Sequence, residues 1–266
     1  MIDESEIHDV EAYVRLQVIE NARFWQRLGG MPDFTGMRVL DFGCGHGMLS
    51  LDLARAGAVS VLGIDLAEQR IRYAQANVAP QAPPGCTMRF ECIDITTIPG
   101  EGLFDRIVSK DTFEHVGPID EVLAAMVRLL KPGGEIILGF SPLYYSPFGD
   151  HGELGVRVPW AHLLAGEQRV LAAFNATNGS AYRRLPEAGF NMLTPRDFRQ
   201  AFERSGAQIR SLRMNPAAGG GLKSAMIRAF RLLARVPGLE RYFTVGIYAV
   251  LVKPARTAPQ AAARAA

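Results

Sequence analysis

The sequence predicts an α/β fold in which one mostly parallel sheet carries helices on both faces. Three observations predict it. Short apolar runs alternate with helical runs from residue 38 to residue 140. Those short runs are rich in apolar residues, which suits strands of a parallel sheet covered on both faces. The first of them enters a glycine-rich turn, Gly43-Cys44-Gly45-His46-Gly47, and a helical run follows at once. The chain has the material for such a fold: 266 residues suit one large domain, and 48% hydrophobic against 21% charged residues suffice for a sizeable core.

Each element has its own signal. Residues 4–28 carry Ile7, Val10, Val14, Val18 and Phe24 at helical spacing and predict one or two leading helices. Residues 38–42 read as the first strand, 48–56 as a helix, 59–64 as a second strand ending at Asp65, and 67–78 as a helix. Pro80, Pro83, Pro84 and Gly85 then break the chain. Residues 87–92 and 104–109 read as the third and fourth strands. A helix over 119–130 stops at Lys131-Pro132-Gly133-Gly134, and 135–140 is the fifth strand. Residues 141–193 lack clear periodicity and are rich in aromatics. Alternation resumes with a helix at 195–205 capped by Thr194, a strand at 208–214, a helix at 222–235 and a last strand at 246–253. Residues 1–254 therefore read as one domain with an insert at 141–193, and the Ala-rich stretch 255–266 as a disordered tail.

Composition excludes several classes. A net charge of +2 gives no reason to expect a nucleic-acid partner. No uninterrupted apolar stretch reaches the roughly 18 residues of a membrane-spanning helix, and the acidic residues 1–11 lack a secretory signal pattern. Three scattered cysteines, Cys44, Cys86 and Cys92, make neither a disulfide framework nor a standard zinc pair, which favours the reducing cytoplasm. His151 and His162, with Asp150 and Glu153 nearby, have no paired ligand spacing, so no metal site is assigned.

The chemistry concentrates at the glycine turn. Glycines let the backbone turn sharply and let a ligand approach the main chain, while the following helix offers free N–H groups. Asp65 ends the next strand, where a carboxylate can accept hydrogen bonds from both ribose hydroxyls. A dinucleotide site needs Gly-x-Gly-x-x-Gly, but Met48 occupies the last position of that pattern. Asp41, just before the turn, would repel a pyrophosphate and suits the cationic amino group of S-adenosylmethionine (SAM).

These residues resemble class I SAM-dependent methyltransferases. Asp41 to Gly47 is similar to that family's first motif, and Asp65 to its ribose-binding acid. Ile93-Asp94-Ile95 is similar to the segment that meets the adenine amino group. Phe104 to Ser109 matches the fourth-strand motif, and Leu129-Leu130-Lys131-Pro132-Gly133-Gly134 the turn before strand five. The resemblance implies a Rossmann-like three-layer sandwich with a seven-stranded sheet, its last strand antiparallel. It also implies SAM as cofactor, S-adenosylhomocysteine (SAH) as product, and Asp41, Gly43, Cys44, Gly45, Gly47, Asp65, Leu66, Asp94, Ile95 and Lys110 as cofactor-binding residues.

The acceptor side is less defined. An insert after strand five can cover the carboxyl end of the sheet, where ligands bind. That makes Tyr144, Tyr145 and Trp160 candidate acceptor contacts, and His115 and His151 candidate bases, with His162, Asp111 and Glu114 as alternatives. The expected substrate is a small molecule (metabolite, sugar or lipid) methylated most readily on oxygen. Two other readings stay open: a SAM-binding partner protein without activity, and a cyclopropane-synthase-like lipid enzyme. The latter is suggested by residues 104–117, whose Glu114 corresponds to a glutamate holding a bicarbonate base in those enzymes. Their histidine after strand five is absent here, where Leu138-Gly139-Phe140 stands. Residues 222–236 form an amphipathic pattern, with Lys223, Arg228, Arg231 and Arg235 on one side and Leu222, Met226, Ala229, Phe230, Leu233 and Val236 on the other. They are expected to pack on the sheet with the basic face in water, or else to touch a lipid surface.

Overall fold

A computed structural model describes residues 4–217 and 220–255. All but the first residue of the expected tail lies outside that span. The chain runs α1 (Glu4–Leu28), β1 (Arg38–Phe42), α2 (Met48–Arg55), β2 (Ser60–Asp65), α3 (Glu68–Tyr73), β3 (Thr87–Cys92), β4 (Phe104–Lys110), α4 (Ile119–Leu129) and β5 (Leu130–Phe140). Then come α5 (Ala161–Ala165), α6 (Glu167–Asn178), α7 (Pro195–Arg204), β6 (Gln208–Met214), α8 (Gly221–Leu233), α9 (Glu240–Phe243) and β7 (Ile247–Val252).

The seven strands form one sheet in the order β3-β2-β1-β4-β5-β7-β6. The neighbours from β3 to β5 pair parallel, and β7 runs antiparallel to both β5 and β6. This is the fold class expected from the sequence. Successive residues of a strand point to opposite faces, and β1 feeds both layers. Val39 joins Phe24, Trp25, Leu53 and Ile71 on the face covered by α1, α2 and α3. Leu40 joins Leu123, Met126, Phe198 and Phe202 on the face covered by α4 and α7.

Local chemistry explains several boundaries. α7 starts at a capping box in which the Thr194 hydroxyl accepts the Asp197 N–H and the Asp197 carboxylate accepts the Thr194 N–H. β5 begins earlier than expected, because Leu130 pairs with Phe104 ahead of a register shift at the Pro-Gly-Gly turn. The helix expected over 67–78 narrows to α3, and a wider helical turn, Ala74–Val78, continues it. The insert contains two helices, α5 and α6, that its sequence does not announce. Its own small core is built on Tyr144, Val170, Leu185 and Phe190. No helix among the described residues is long and apolar enough to cross a membrane.

Candidate active site

The chain leaves β1 towards β2 and leaves β4 towards β5, so a crevice opens between the carboxyl ends of β1 and β4. A cavity of about 640 Å3 occupies it. Its wall contains Asp41, Gly43, Cys44, Gly45, Asp65, Leu66, Asp94, Ile95 and Lys110. Of the ten expected cofactor residues only Gly47 stands outside that wall. It caps α2 with a φ of 85°, and a Cβ there would lie 2.7 Å from the Phe90 ring.

Each residue is held for a physical reason. The N–H groups of Gly43 and Cys44 both donate to the Ile64 carbonyl at 2.9 Å, fastening the turn to β2. Gly43 has a φ of 74°, and a Cβ there would lie 2.2 Å from the Thr112 hydroxyl, so only glycine lets the loops after β1 and β4 meet. Asp65 Oδ2 accepts the Gly45 N–H at 2.9 Å and Oδ1 the Ala67 N–H at 2.8 Å, leaving each oxygen a further acceptor site towards the cavity. Asp94 Oδ1 accepts the N–H and hydroxyl of Thr96, both at 2.8 Å.

Asp41 is the unusual member. It is 1% exposed, and the Ser50 hydroxyl donates to its Oδ2 at 2.6 Å. Its Oδ1 is buried with no hydrogen-bond partner. Burial pushes its carboxyl up to about 7, against the opposing pull of the Ser50 bond and the Lys110 charge. Lys110 Nζ donates to Gln17 Oε1 at 2.5 Å and Asn21 Oδ1 at 2.7 Å, and burial lowers its pKa. Gln17 and Asn21, one turn apart on α1, belong to the cavity wall and were not anticipated. The i, i+4 spacing of two amides on an amphipathic helix was the available signal.

The loop after β4 supplies another part of the cavity wall. Asp111 has a φ of 49°, fixed by its N–H donating to the Gly139 carbonyl at 2.9 Å. A non-glycine residue with positive φ at a strand end stores strain that functional sites often hold. Asp111 is an exposed residue of the cavity wall, and desolvation by the atoms packed around it raises its pKa against the pull of the Lys110 charge. Glu114 is buried, its Oε2 has no partner, and burial beside the Asp111 charge raises its pKa well above the usual range. The Ser141 N–H faces both carboxyls. His115 also lines the cavity. Its Nδ1 lies 2.9 Å from the Gly189 carbonyl, which can only accept, so Nδ1 carries the proton and Nε2 keeps a lone pair. Desolvation lowers its pKa, which keeps the ring neutral near pH 7.

The insert does reach the cavity, but through residues other than the aromatics expected. Phe174 and Asn178 of α6, with Ala188 and Gly189, form part of the wall. Tyr144 is buried in the insert's own core, and Tyr145 packs edge-on against it at 5.3 Å. Trp160 donates from Nε1 to the Tyr242 carbonyl at 3.2 Å and packs on Phe243 and Phe230 at 5.3 and 6.1 Å. None of the three is in the cavity wall. His151 is also outside it. Its ring sits 4.9 Å from that of His115, and burial holds its pKa down to about 4. His162 is buried, its Nε2–H donating to the Tyr144 carbonyl at 2.6 Å. No group of three metal-ligating side chains occurs among the described residues.

Residues 39–134 match a family model described as a methyltransferase domain. The chain is 37% identical over 111 residues to a ubiquinone biosynthesis O-methyltransferase of Paracidovorax citrulli, covering 41% of this chain and 46% of that protein. It is 32% identical over 143 residues to one of Neisseria meningitidis, covering 53% of this chain and 54% of that protein. The chain thus spans about half the length of the curated relatives it matches. Among solved structures, an S-adenosylmethionine dependent methyltransferase from Mesorhizobium loti superposes with a TM-score of 0.54 at 20% identity, over 84% of this chain and 93% of that one. A geranyl diphosphate C-methyltransferase from Streptomyces coelicolor, solved with SAH, gives 0.57 at 15% identity, over 90% and 80% of the two chains. At such identities the likeness concerns the fold. Residues 39–134 are thus a methyltransferase domain by the family model and the curated relatives, and the chain as a whole has the fold of the class I, SAM-dependent methyltransferases.

Proposed function

We propose that this protein transfers the methyl group of SAM to a hydroxyl oxygen of a small-molecule acceptor. One observation carries the proposal: a single cavity is walled on one side by the Asp41–Gly45 turn, Asp65 and Asp94, and on another by Asp111 and His115. The residues fit the cofactor. The orphaned, buried Oδ1 of Asp41 is an acceptor awaiting a cationic donor, which the amino group of SAM provides. The free acceptor sites of Asp65 suit the ribose hydroxyls, and Asp94 with Ile95 suits the adenine amino group. When bound, SAM supplies a methyl group on a sulfonium, already activated for transfer.

The protein then has two tasks, positioning the acceptor and taking its proton. His115 Nε2 is the base: the ring is neutral, and the Gly189 carbonyl fixes its tautomer. Phe174 and Ala188 give the insert a part in excluding water from the reacting groups. The O-methyltransferase names of the curated relatives support oxygen as the methylated atom. The three cysteines are free, which suits a cytoplasmic enzyme. The test is transfer of isotope-labelled methyl from SAM with small-molecule, nucleic-acid and protein fractions offered side by side. Label is expected in a small-molecule methyl ether; label confined to a macromolecule refutes the proposal.

Asp41 adds a pH dependence. Its carboxyl ionises at about 7 in the free protein, so it is mostly protonated at slightly acidic pH. An ammonium beside Oδ1 favours the ionised form, so binding releases a proton below about pH 7 and tightens as pH rises through that value. Calorimetry with SAH in two buffers of different ionisation heat reads the proton directly. Asp41→Asn is expected to abolish the release and weaken SAH by about tenfold or more.

A further inference from the structure

The faces of α8 are not oriented as an ordinary surface helix would be. An apolar stripe along it is left uncovered, with Met226 at the rim of the cavity beneath the helix. Leu222 is 88% exposed, Met226 42%, Leu233 39%, and Val236, just past the helix, 46%. Positions 222, 226, 229, 233 and 236 fall on one line at 100° per residue. Ser224, Ile227 and Phe230 turn inwards instead, over an apolar cavity of about 740 Å3 that also takes in Phe148 and Tyr248. Phe148, on the same cavity wall as Met226, is itself 44% exposed, so the apolar surface continues onto the insert.

Charge says what covers this stripe. Residues 204–239 contain seven basic residues and no acidic one. Arg228 and Arg235 border the stripe along one margin, with Leu232, 62% exposed, between the two rows. Arg228, Arg231 and Arg235 are exposed, and none forms a salt bridge among the described residues. An uncovered apolar stripe flanked by arginines, on a helix too short and too charged to span a bilayer, has the pattern of a helix lying in the plane of a membrane surface. We propose that α8 docks the protein onto an anionic lipid surface, with Leu222, Met226 and Leu233 entering the headgroup boundary and Arg228 and Arg235 meeting the lipid phosphates. This goes beyond methyl transfer and does not depend on it.

The test is co-sedimentation of the full chain with phosphatidylcholine vesicles, with and without phosphatidylglycerol. The protein is expected to pellet with the anionic vesicles at low salt, to stay in solution with the neutral ones, and to be released by added salt. Arg228→Glu/Arg235→Glu is expected to cut the bound fraction more than about tenfold. Met226→Ser/Leu233→Ser is expected to weaken binding without changing net charge. SAH titration of each variant shows separately that the fold and the cofactor site are intact. The proposal is overturned by absence of pelleting at low salt, or by equal binding to neutral vesicles. It is equally overturned if sedimentation velocity shows a dimer that Met226→Ser/Leu233→Ser dissociates, since a second copy would then be what covers the stripe.

Discussion

Replacing His115 by alanine is expected to lower turnover by roughly 10²-fold or more while SAH affinity stays near that of the wild type. The ring touches the site from the acceptor side, with Nδ1 committed to the Gly189 carbonyl and Nε2 left to accept a proton. It makes no hydrogen bond to the Asp41–Gly45 turn or to Asp65, so cofactor affinity should not move with it. His151 packs against His115 at 4.9 Å but stands outside the cavity wall, so His151→Ala should cost less than about tenfold, through a looser His115 ring. Initial rates at saturating SAM, set beside SAH calorimetry, separate the two contributions. Normal turnover of His115→Ala and of the double variant would mean that no histidine takes the proton, leaving Asp111 or positioning alone.

The second large effect is on binding. Asp65→Ala removes the acceptor for the Gly45 and Ala67 N–H groups as well as the acceptor proposed for the ribose. Hydrogen bonds to a charged group are worth about 1.5–3 kcal/mol each. The variant should therefore weaken SAH by well over about tenfold, because it loses both the ligand contact and the anchoring of the loop that shapes the site. Asp65→Asn, which keeps one acceptor oxygen, should fall between the two. Unchanged affinity in calorimetry would remove Asp65 from the cofactor site.

The strands from β1 to β5 and the glycine turn were legible in the sequence because their signals are local. β1, β2 and β5 are short, mostly apolar runs, β3 alternates with one face buried, and the turn is the contiguous string Asp41-Phe42-Gly43-Cys44-Gly45-His46-Gly47. The acceptor side is assembled from distant segments, and no local pattern marks it. α6 buries only Val170 completely, so it carries little periodicity to read. Trp160 suggested a ligand contact by type, yet it packs on Phe230 and Phe243, some seventy to eighty residues onward. Lys110 is held by Gln17 and Asn21 from the other end of the chain. α8 shows the same limit: the amphipathic pattern put Phe230 and Leu222 on one side, yet Phe230 turns inwards over the cavity while Leu222 and Leu233 stay exposed.

The claim on which the rest depends is that the crevice between β1 and β4 holds SAM and not a dinucleotide. Equilibrium titration of the wild-type protein with SAH, followed by challenge with NAD, tests it most directly. One saturable SAH site, weakened by well over about tenfold in Asp65→Ala and not displaced by NAD, is the expected result. Absence of SAH binding by the folded protein, or displacement of SAH by NAD at comparable concentration, would contradict it.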